Sequence, residues 1–487
     1  MPLNPAGRIS AGTPIRTSYG GPIDPLSAFA FVWATAILFH WLQQPFQFLD
    51  MTVQSYFAIV NAAIALAILL RPRSVILLLL LAATQVIHWF ADKPIPSNHY
   101  IMMMFLDVAV FLAAYVYYYN RDKMGQQQAR DLFYDTFAST GRYLLLVMYF
   151  YGIFHKINTD FLDPRVSCAV VLYERLTWFV GLDGWGFGRW GAIVATFVIE
   201  GVAMVMLFTK RWKAIGFIIG IPFHTLIGFT GYAFYMDFSA LVYALYVLFL
   251  PREAYGKLNG WVEAFRSARG LSLDRLASLA RRGLAVLLAV FGAYTAAVML
   301  TSSGPYYVYY FMPWWAVYSA IFYVVVIRLV VTSRYRPEEH FFAFPRKAFL
   351  LLPILFTING FAPYIGLKTG QAITMFSNLH VEGGETNHLL FPRLPYLFDY
   401  TAKPVRVLAS NDPELQEYAE KHVEIVEFEL ARHLDNDPGA FALVEWQGET
   451  MTVSRSIEDS YARQPWFLKK ILFFKPVDWV RPKACTH

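Results

Sequence analysis

Long apolar runs separated by short polar stretches occupy the chain from residue 23 to residue 367. Eleven of these runs approach the length of about 20 residues that a helix needs to cross a membrane. They cover residues 26–42, 51–70, 75–92, 99–119, 143–160, 190–208, 214–231, 232–250, 284–303, 314–332 and 348–367. The pattern predicts an all-α polytopic membrane protein with about 11 spans.

Two other segments of this region are amphipathic rather than uniformly apolar. Segment 164–189 is rich in Trp and Gly, which indicates an interfacial or re-entrant stretch. Segment 251–283 mixes Leu and Ala with many Arg residues and predicts a helix on the membrane surface.

The pattern changes after residue 367, where charged residues and prolines become frequent. Residues 368–487 predict a small α+β domain, with a helix from Pro413 to about Leu434. A hairpin is expected over Ala442 to Arg455, around the Gln447-Gly448 turn. The chain thus divides into a polar N-terminal segment 1–22, a membrane domain 23–367 and this last domain.

Composition and charge support a membrane protein and argue against nucleic-acid binding. Of the 487 residues, 57% are hydrophobic and 16% charged, whereas soluble chains carry about 25% charged residues. The net charge of +6 is spread over short loops, without the basic stripe and interleaved aromatics of a nucleic-acid surface. Membrane lipid is therefore the expected partner.

Lys and Arg concentrate in alternate loops, which sets the orientation. The rich loops are 71–74, 120–142, 209–213, 251–283 and 333–347. The positive-inside rule assigns these loops to the cytoplasm. The N-terminus is then cytoplasmic, and an odd span count makes the C-terminal domain extracytoplasmic.

The two cysteines, Cys168 and Cys485, are too few for a disulfide framework or a zinc site. Because Cys485 lies almost at the end of the chain, no structural disulfide is expected. No metal site is expected either.

Polar and titratable side chains gather near the outer ends of the predicted spans, where they are functional candidates by default. They are His40, His88, Asn98, His99, His155, Lys156 and His224. Each also has a simpler explanation. His40 and His88 neighbour Trp residues and fit a membrane-interface belt, and Lys156 could extend to the headgroups.

Acidic residues inside the spans need a partner or a cavity. Glu200 is the deepest of them, about ten residues into the sixth predicted span, and Asp107 and Asp237 raise the same question. The polar run from His155 to Asp160 indicates a wet pocket. No P-loop, dinucleotide fingerprint, HExxH or GxSxG motif is present.

Several of these residues lie in motifs that resemble the vitamin K-dependent gamma-glutamyl carboxylase family. The motifs are SNHY at 97–100, YFYGIFHKINTDFL at 149–162 and PFH at 222–224. MFSNL at 375–379, EGG at 382–384 and NH at 387–388 look like the bacterial relatives with a horizontally transferred transmembrane (HTTM) domain. The likeness covers most of the membrane region.

The resemblance implies a specific chemistry. Lys156 would be the base that deprotonates vitamin K hydroquinone, with His99 assisting. His155, His224, Asn98, Asp160 and Glu200 would contact the quinone or the substrate. O2 and CO2 would be co-substrates, and a glutamate in a secreted or membrane peptide or protein would be carboxylated. Desolvation that leaves Lys156 neutral would suit a base.

The chain also departs from the animal enzyme. It has His155-Lys156 where that enzyme has two lysines, and its C-terminal domain is much shorter. Two other functions therefore stay open: a non-enzymatic membrane protein that binds a quinone or lipid, and a transporter that uses Glu200 and Asp107 as an ion path.

Overall fold

The computed structural model describes residues 23–42, 52–91, 97–231, 235–301, 308–334, 340–437, 439–454 and 464–485. The N-terminal segment 1–22 lies outside the described residues. The described chain is mostly helical, with a small antiparallel sheet near its C-terminal end.

Thirteen helices precede residue 367 in the described part of the chain, and each predicted span overlaps one of them. They are α1 Pro25–Leu42, α2 Val53–Leu70, α3 Val75–Ala91, α4 Asn98–Met124, α5 Gln126–Phe154, α6 Cys168–Thr177, α7 Gly186–Phe208, α8 Lys213–Gly228, α9 Tyr235–Val247, α10 Arg252–Ala268, α11 Leu273–Thr301, α12 Val308–Thr332 and α13 Leu351–Phe361.

Within the described residues, 6 helices are long and apolar enough to cross a membrane. They are Val53–Leu70, Asn98–Met124, Gly186–Phe208, Leu273–Thr301, Tyr309–Thr332 and Lys347–Ile365, the last combining a short 3₁₀ turn, α13 and a second such turn. The apolar stretches of α1, α3, α8 and α9 are shorter, and α5 begins with a polar turn. The number of about 11 spans stays a prediction.

Two mainly apolar helices, α1 and α9, form the centre of the bundle. All residues of α9 are buried, and α1 packs against it with Phe29 and Trp33 fully enclosed. A mainly apolar helix has to be surrounded by protein or lipid. Protein surrounds α9 on every side, and α1 is mostly buried, with Phe31 38% exposed.

The outer helices expose large apolar side chains instead. Leu300 of α11 is 88% exposed and Phe187 of α7 is 75% exposed, and many other apolar side chains on α2, α7 and α12 are more than a third exposed. Soluble monomers rarely show such extensive apolar surface. This surface is suited to contact with membrane lipid.

The surface helix expected over 251–283 is two helices, so this prediction is corrected. α10 ends at Ala268, and Gly270 follows in the left-handed region with φ of 59°, which favours glycine. α11 then starts at Leu273 and continues into the ninth predicted span. Segment 164–189 contains α6, a short 3₁₀ turn over Trp178–Val180 and the start of α7.

The C-terminal sheet is antiparallel and five-stranded, with strand order β4-β3-β1-β2-β5. Its elements are β1 Pro404–Ser410, α14 Pro413–Glu420, β2 Val423–Val426, α15 Glu427–Asn436, β3 Phe441–Trp446, β4 Glu449–Ser454, α16 Trp466–Ile471 and β5 Val477–Asp478. Alternate residues such as Val405, Val407 and Val444 point into a core shared with α14 and α15.

The predicted hairpin is confirmed as β3 and β4, joined at Gln447-Gly448. The single helix expected from Pro413 to Leu434 is wrong. β2 divides it, because Val423, Ile425 and Val426 are β-branched and favour a strand. Ile425 and Val426 pair with β1, and Val423 pairs with β5.

Cys168 and Cys485 form a disulfide, which overturns the expectation of none. It joins the start of α6 to the C-terminal end of the chain across 317 residues. Residues that far apart in sequence come together only through the tertiary fold.

Candidate functional site

The turn that follows α5 presents Lys156. The helix ends at Phe154, and the side-chain amide of Asn158, through Nδ2, donates to the carbonyl oxygens of His155 (2.7 Å) and Ser377 (2.6 Å). The Asn158 side-chain oxygen accepts from the Phe161 amide at 2.8 Å. This one side chain therefore holds both limbs of the turn that carries the lysine.

Lys156 and Glu200 of α7 form a buried ion pair. The ammonium donates to both carboxylate oxygens, at 2.6 and 2.7 Å. Lys156 is 5% exposed and Glu200 is 8% exposed. The sequence indicated that Glu200 needs a partner, and Lys156, in the turn after α5, is that partner.

Gly152 allows the two helices to approach. It lies one helical turn before Lys156, and a Cβ at this position would be 3.4 Å from the Glu200 Oε2 atom. A larger side chain would push α5 and α7 apart and lengthen the ion pair.

The ion pair lines a cavity of about 310 Å³. Apolar side chains form most of its wall, including Met148, Phe161, Ile199, Phe223, Phe238 and Phe376. The polar groups on the wall include His99, Tyr149, Lys156, Glu200 and His224. The volume lies at the small end of the range of about 300–1,000 Å³ that ligand pockets occupy.

Three side chains from three helices form a polar network beside the cavity. The Tyr149 hydroxyl lies 2.7 Å from His224 Nε2 and 2.9 Å from the Tyr246 hydroxyl. Gly220 leaves room for the Tyr246 hydroxyl, which a side chain at position 220 would overlap. This network fixes the His224 ring against α5 and α9.

A second network surrounds Asp237 at the start of α9. His40 Nδ1 of α1 lies 2.7 Å and His99 Nε2 of α4 lies 2.9 Å from the same oxygen, Oδ2. The Ser97 hydroxyl contacts His99 Nδ1 at 2.7 Å. His40, His99 and Asp237 each offer one atom of a kind that can bind a metal ion, and these three atoms lie within 4.8 Å of one another.

A segment of the C-terminal region closes over the site. Met375 and Phe376 line the cavity, and residues 157–159 pair with residues 387–389 through backbone hydrogen bonds of 2.9 and 3.1 Å. The Asn387 amide donates to Asp160 Oδ2 at 2.9 Å. The bundle and this segment therefore build the site together.

Four of the residues predicted for the site line the cavity, namely Lys156, His99, His224 and Glu200. The others do not. The two ring nitrogens of His155 contact the Tyr364 hydroxyl (2.8 Å) and the Ala372 carbonyl (3.1 Å).

The two remaining predicted residues also lie outside the cavity lining. Asp160 accepts hydrogen bonds from Asn387 and from Thr159. Asn98 is the first residue of α4, next to His99. The polar run from His155 to Asp160 therefore braces the turn and presents one reactive group, Lys156.

The sequence reasoning did not single out Tyr149, although its spacing held a signal. Tyr149 and Gly152 are three residues apart, a spacing that aligns residues on one helix face. Lys156 follows four residues later in the turn after α5, and all three line the cavity. The role of Asp237 as the acceptor for two histidines had no such signal, because its partners come from other helices.

Comparison of the chain with protein-family models, with curated proteins and with solved structures found no match.

Proposed function

We propose that this protein is a carboxylase-like membrane enzyme. It would couple oxidation of a vitamin K-type hydroquinone to γ-carboxylation of glutamate in a peptide or protein. The observation that carries the proposal is that Lys156, His99 and His224 line one apolar cavity. They come from three separate motifs that resemble the vitamin K-dependent carboxylases and their bacterial HTTM relatives.

The cavity suits a small aromatic diol. Its apolar wall matches a fused ring, and its few polar side chains are of the kinds that hydrogen-bond a hydroxyl. When bound, the hydroquinone would supply the four electrons that reduce O2 as it is converted to the quinone epoxide, and the driving force for removing a proton from a glutamate γ-carbon. The overall change converts hydroquinone, O2, CO2 and glutamate to quinone epoxide, water and γ-carboxyglutamate.

Lys156 is the group proposed to take a proton from the hydroquinone. Only a neutral amine accepts a proton, and a carboxylate that receives two hydrogen bonds from an ammonium stabilises the charged form. The lysine can therefore act as a base only if its proton first passes to another group. We assign that role to Glu200, so that the pair works as one proton-transfer unit.

His99 and His224 have positioning roles in this proposal. His99 is oriented by Asp237 and His224 by Tyr149. Histidines held in this way present a defined edge to a ligand, which places the reacting hydroxyl near the Lys156–Glu200 pair. His155 and Asp160 act one step further away, through the turn that carries Lys156.

We also propose that the cavity and the C-terminal domain face the extracytoplasmic side. The distribution of Lys and Arg among the loops supports this orientation. The Cys168–Cys485 disulfide supports it independently, because disulfides form and persist in oxidising compartments. The carboxylated substrate would then be a secreted or membrane-attached peptide or protein.

The experiment that tests the function uses the purified full-length chain in lipid nanodiscs. Reduced vitamin K, O2, labelled bicarbonate and a glutamate-rich peptide library are supplied, and quinone epoxide and peptide label are measured by mass spectrometry. We expect both products from the wild type and neither from Lys156→Ala. The matched control is Lys213→Met, another buried lysine, which lies outside the cavity.

The outcomes separate the proposed function from its rivals. Unchanged epoxide formation in Lys156→Ala would remove the mechanism. Epoxide without peptide label would restrict the function to quinol oxidation. Retention of quinone without turnover would favour a binding protein, and ion flux lost in Glu200→Gln without any need for quinone would favour a transporter.

A further inference from the structure

Asp237 is a buried carboxylate between two imidazoles. It is 1% exposed, and its Oδ2 atom contacts His40 Nδ1 and His99 Nε2 at 2.7 and 2.9 Å. Its other oxygen, Oδ1, accepts from the Phe238 amide at 2.6 Å. The three side chains belong to α1, α4 and α9, so only the assembled bundle brings them together.

The negative charge of Asp237 needs compensation. In the described part of the chain, no lysine or arginine forms an ion pair with it, and the two imidazoles are its basic neighbours. A buried carboxylate that meets only neutral donors is strongly destabilising. Either a proton on one imidazole or a bound cation has to supply the positive charge.

We propose that His40, His99 and Asp237 bind a divalent transition-metal ion. Two imidazole nitrogens and one carboxylate oxygen are the ligand set of many zinc and non-haem iron(II) sites that keep open coordination positions. Here these three atoms all lie within 4.8 Å of one another. The proposal goes beyond the proposed function and does not depend on it.

The contacts around the cluster resemble those that orient metal ligands. The Ser97 hydroxyl lies 2.7 Å from His99 Nδ1, the nitrogen that would not bind the ion. The Phe238 amide holds the carboxylate through Oδ1 and leaves Oδ2 towards the histidines. Hydrogen bonds of this kind fix the direction of ligand side chains in metalloproteins.

The geometry needs only a small adjustment to accept an ion. Bonds of about 2.0–2.2 Å in a tetrahedral site separate the ligand atoms by about 3.3–3.6 Å. The present separations of 2.7 and 2.9 Å would therefore widen by roughly 0.4–0.9 Å. Small side-chain rotations provide such a change without movement of the helices.

The location places the ion beside the cavity, because His99 is part of the cavity wall. An ion bound to His99 would hold this ring in one orientation at the edge of the site. His40 is partly exposed, with 16% of its side chain accessible, which gives the ion a route from outside.

The test measures the metal content of the full-length chain, purified without a histidine tag and without chelators. Cells are grown with added zinc and iron, and the purified protein is assayed by inductively coupled plasma mass spectrometry. Chelator-treated protein is also titrated with Co²⁺ and followed by its visible absorption. We expect about one ion per chain in the wild type, and at least a tenfold lower content in Asp237→Asn and in His40→Asn.

The matched control is Asp107→Asn, which changes another buried aspartate on the helix that carries His99. It should keep the full metal content and the Co²⁺ spectrum. Thermal unfolding of each variant in detergent verifies that the chains are folded.

Two results would overturn the proposal. A folded wild type with less than a tenth of an ion per chain, and no Co²⁺ spectrum, would show that a protonated imidazole neutralises Asp237. Full metal content in folded Asp237→Asn and His40→Asn, equal to that of Asp107→Asn, would show that the ion binds elsewhere. Failure of the carboxylation assay would change neither the metal content nor the Co²⁺ absorption. The proposed metal site and the proposed carboxylase-like function can therefore fail separately.

Discussion

The ammonium group of Lys156 donates to both oxygens of the Glu200 carboxylate, at 2.6 and 2.7 Å, and joins the end of α5 to the middle of α7. The side chains of the two residues are 7% and 11% exposed. Charges held this far from water depend on each other, and the consequences can be measured.

Removal of one partner should destabilise the protein more than removal of both. Lys156→Met or Glu200→Leu leaves an uncompensated buried charge, at a cost of roughly 3–5 kcal/mol. The double variant leaves no uncompensated charge. It should therefore cost less than either single variant, and clearly less than the sum of the two single-variant costs. Thermal unfolding in detergent, followed by Trp fluorescence, gives the three values.

Additive costs in this cycle would mean that the pair is not coupled. The folded double variant also serves the functional assay, because its loss of epoxide formation could not be attributed to unfolding.

Gly152 should tolerate a methyl group but not a long side chain. A Cβ at this position would lie 3.4 Å from Glu200 Oε2, which is ordinary contact. Gly152→Ala should therefore change stability by no more than about 1 kcal/mol, since the gain in helix propensity is of that size. Gly152→Leu should separate α5 from α7 and lower the unfolding temperature.

Gly191→Leu is the control for this substitution, since a Cβ at Gly191 of α7 has no neighbour within 4 Å. Equal effects of leucine at positions 152 and 191 would contradict the close approach at Gly152.

The Cys168–Cys485 disulfide should be present in the purified protein and should stabilise it. Protein denatured without reductant should bind no maleimide, and protein denatured after reduction should bind two equivalents. Cys485→Ser should lower the free energy of unfolding by roughly 2–5 kcal/mol. Cys168→Ser should have the same effect, and a reactive thiol in unreduced wild type would contradict the pairing.

Lys368 should make stability depend on pH. Burial lowers the pKa of this lysine from 10.5 to about 7, and its ammonium donates to the Ile471 carbonyl at 3.3 Å. Between pH 7 and pH 10.5 the unfolded chain therefore binds more protons than the folded chain at this group. Its contribution to the free energy of unfolding rises with pH across that window, by at most about 1.4 kcal/mol per pH unit.

Lys368→Met should remove this contribution, so that the difference between variant and wild type shrinks as the pH rises. Urea or thermal unfolding at a series of pH values measures it. The exposed Lys421 provides the control substitution, and parallel curves for wild type and Lys368→Met would refute the prediction.

The membrane helices could be predicted from sequence because hydropathy is a local property. A window of about 20 residues contains the information that decides whether a helix prefers lipid, and each predicted span overlaps a helix. The hairpin at Gln447-Gly448 was predictable for the same reason, since turn chemistry and alternation are local.

Local pattern did not predict the structure where tertiary pairing competes with it. Residues 423–426 lie inside an apparently helical pattern, yet they form β2 because β1 offers them a partner. The Cys168–Cys485 bond was missed because nothing local relates residues 317 positions apart.

The sequence by itself determined the apolar helices, the distribution of positive charge and the depth at which Lys156, His99, His224 and Glu200 lie along their helices. Only the tertiary structure decided which of these side chains meet. It paired Lys156 with Glu200 and placed Asp237 between His40 and His99. The physical reason is that helix order and rotation in a bundle are set by packing between distant segments, which no single stretch of sequence contains.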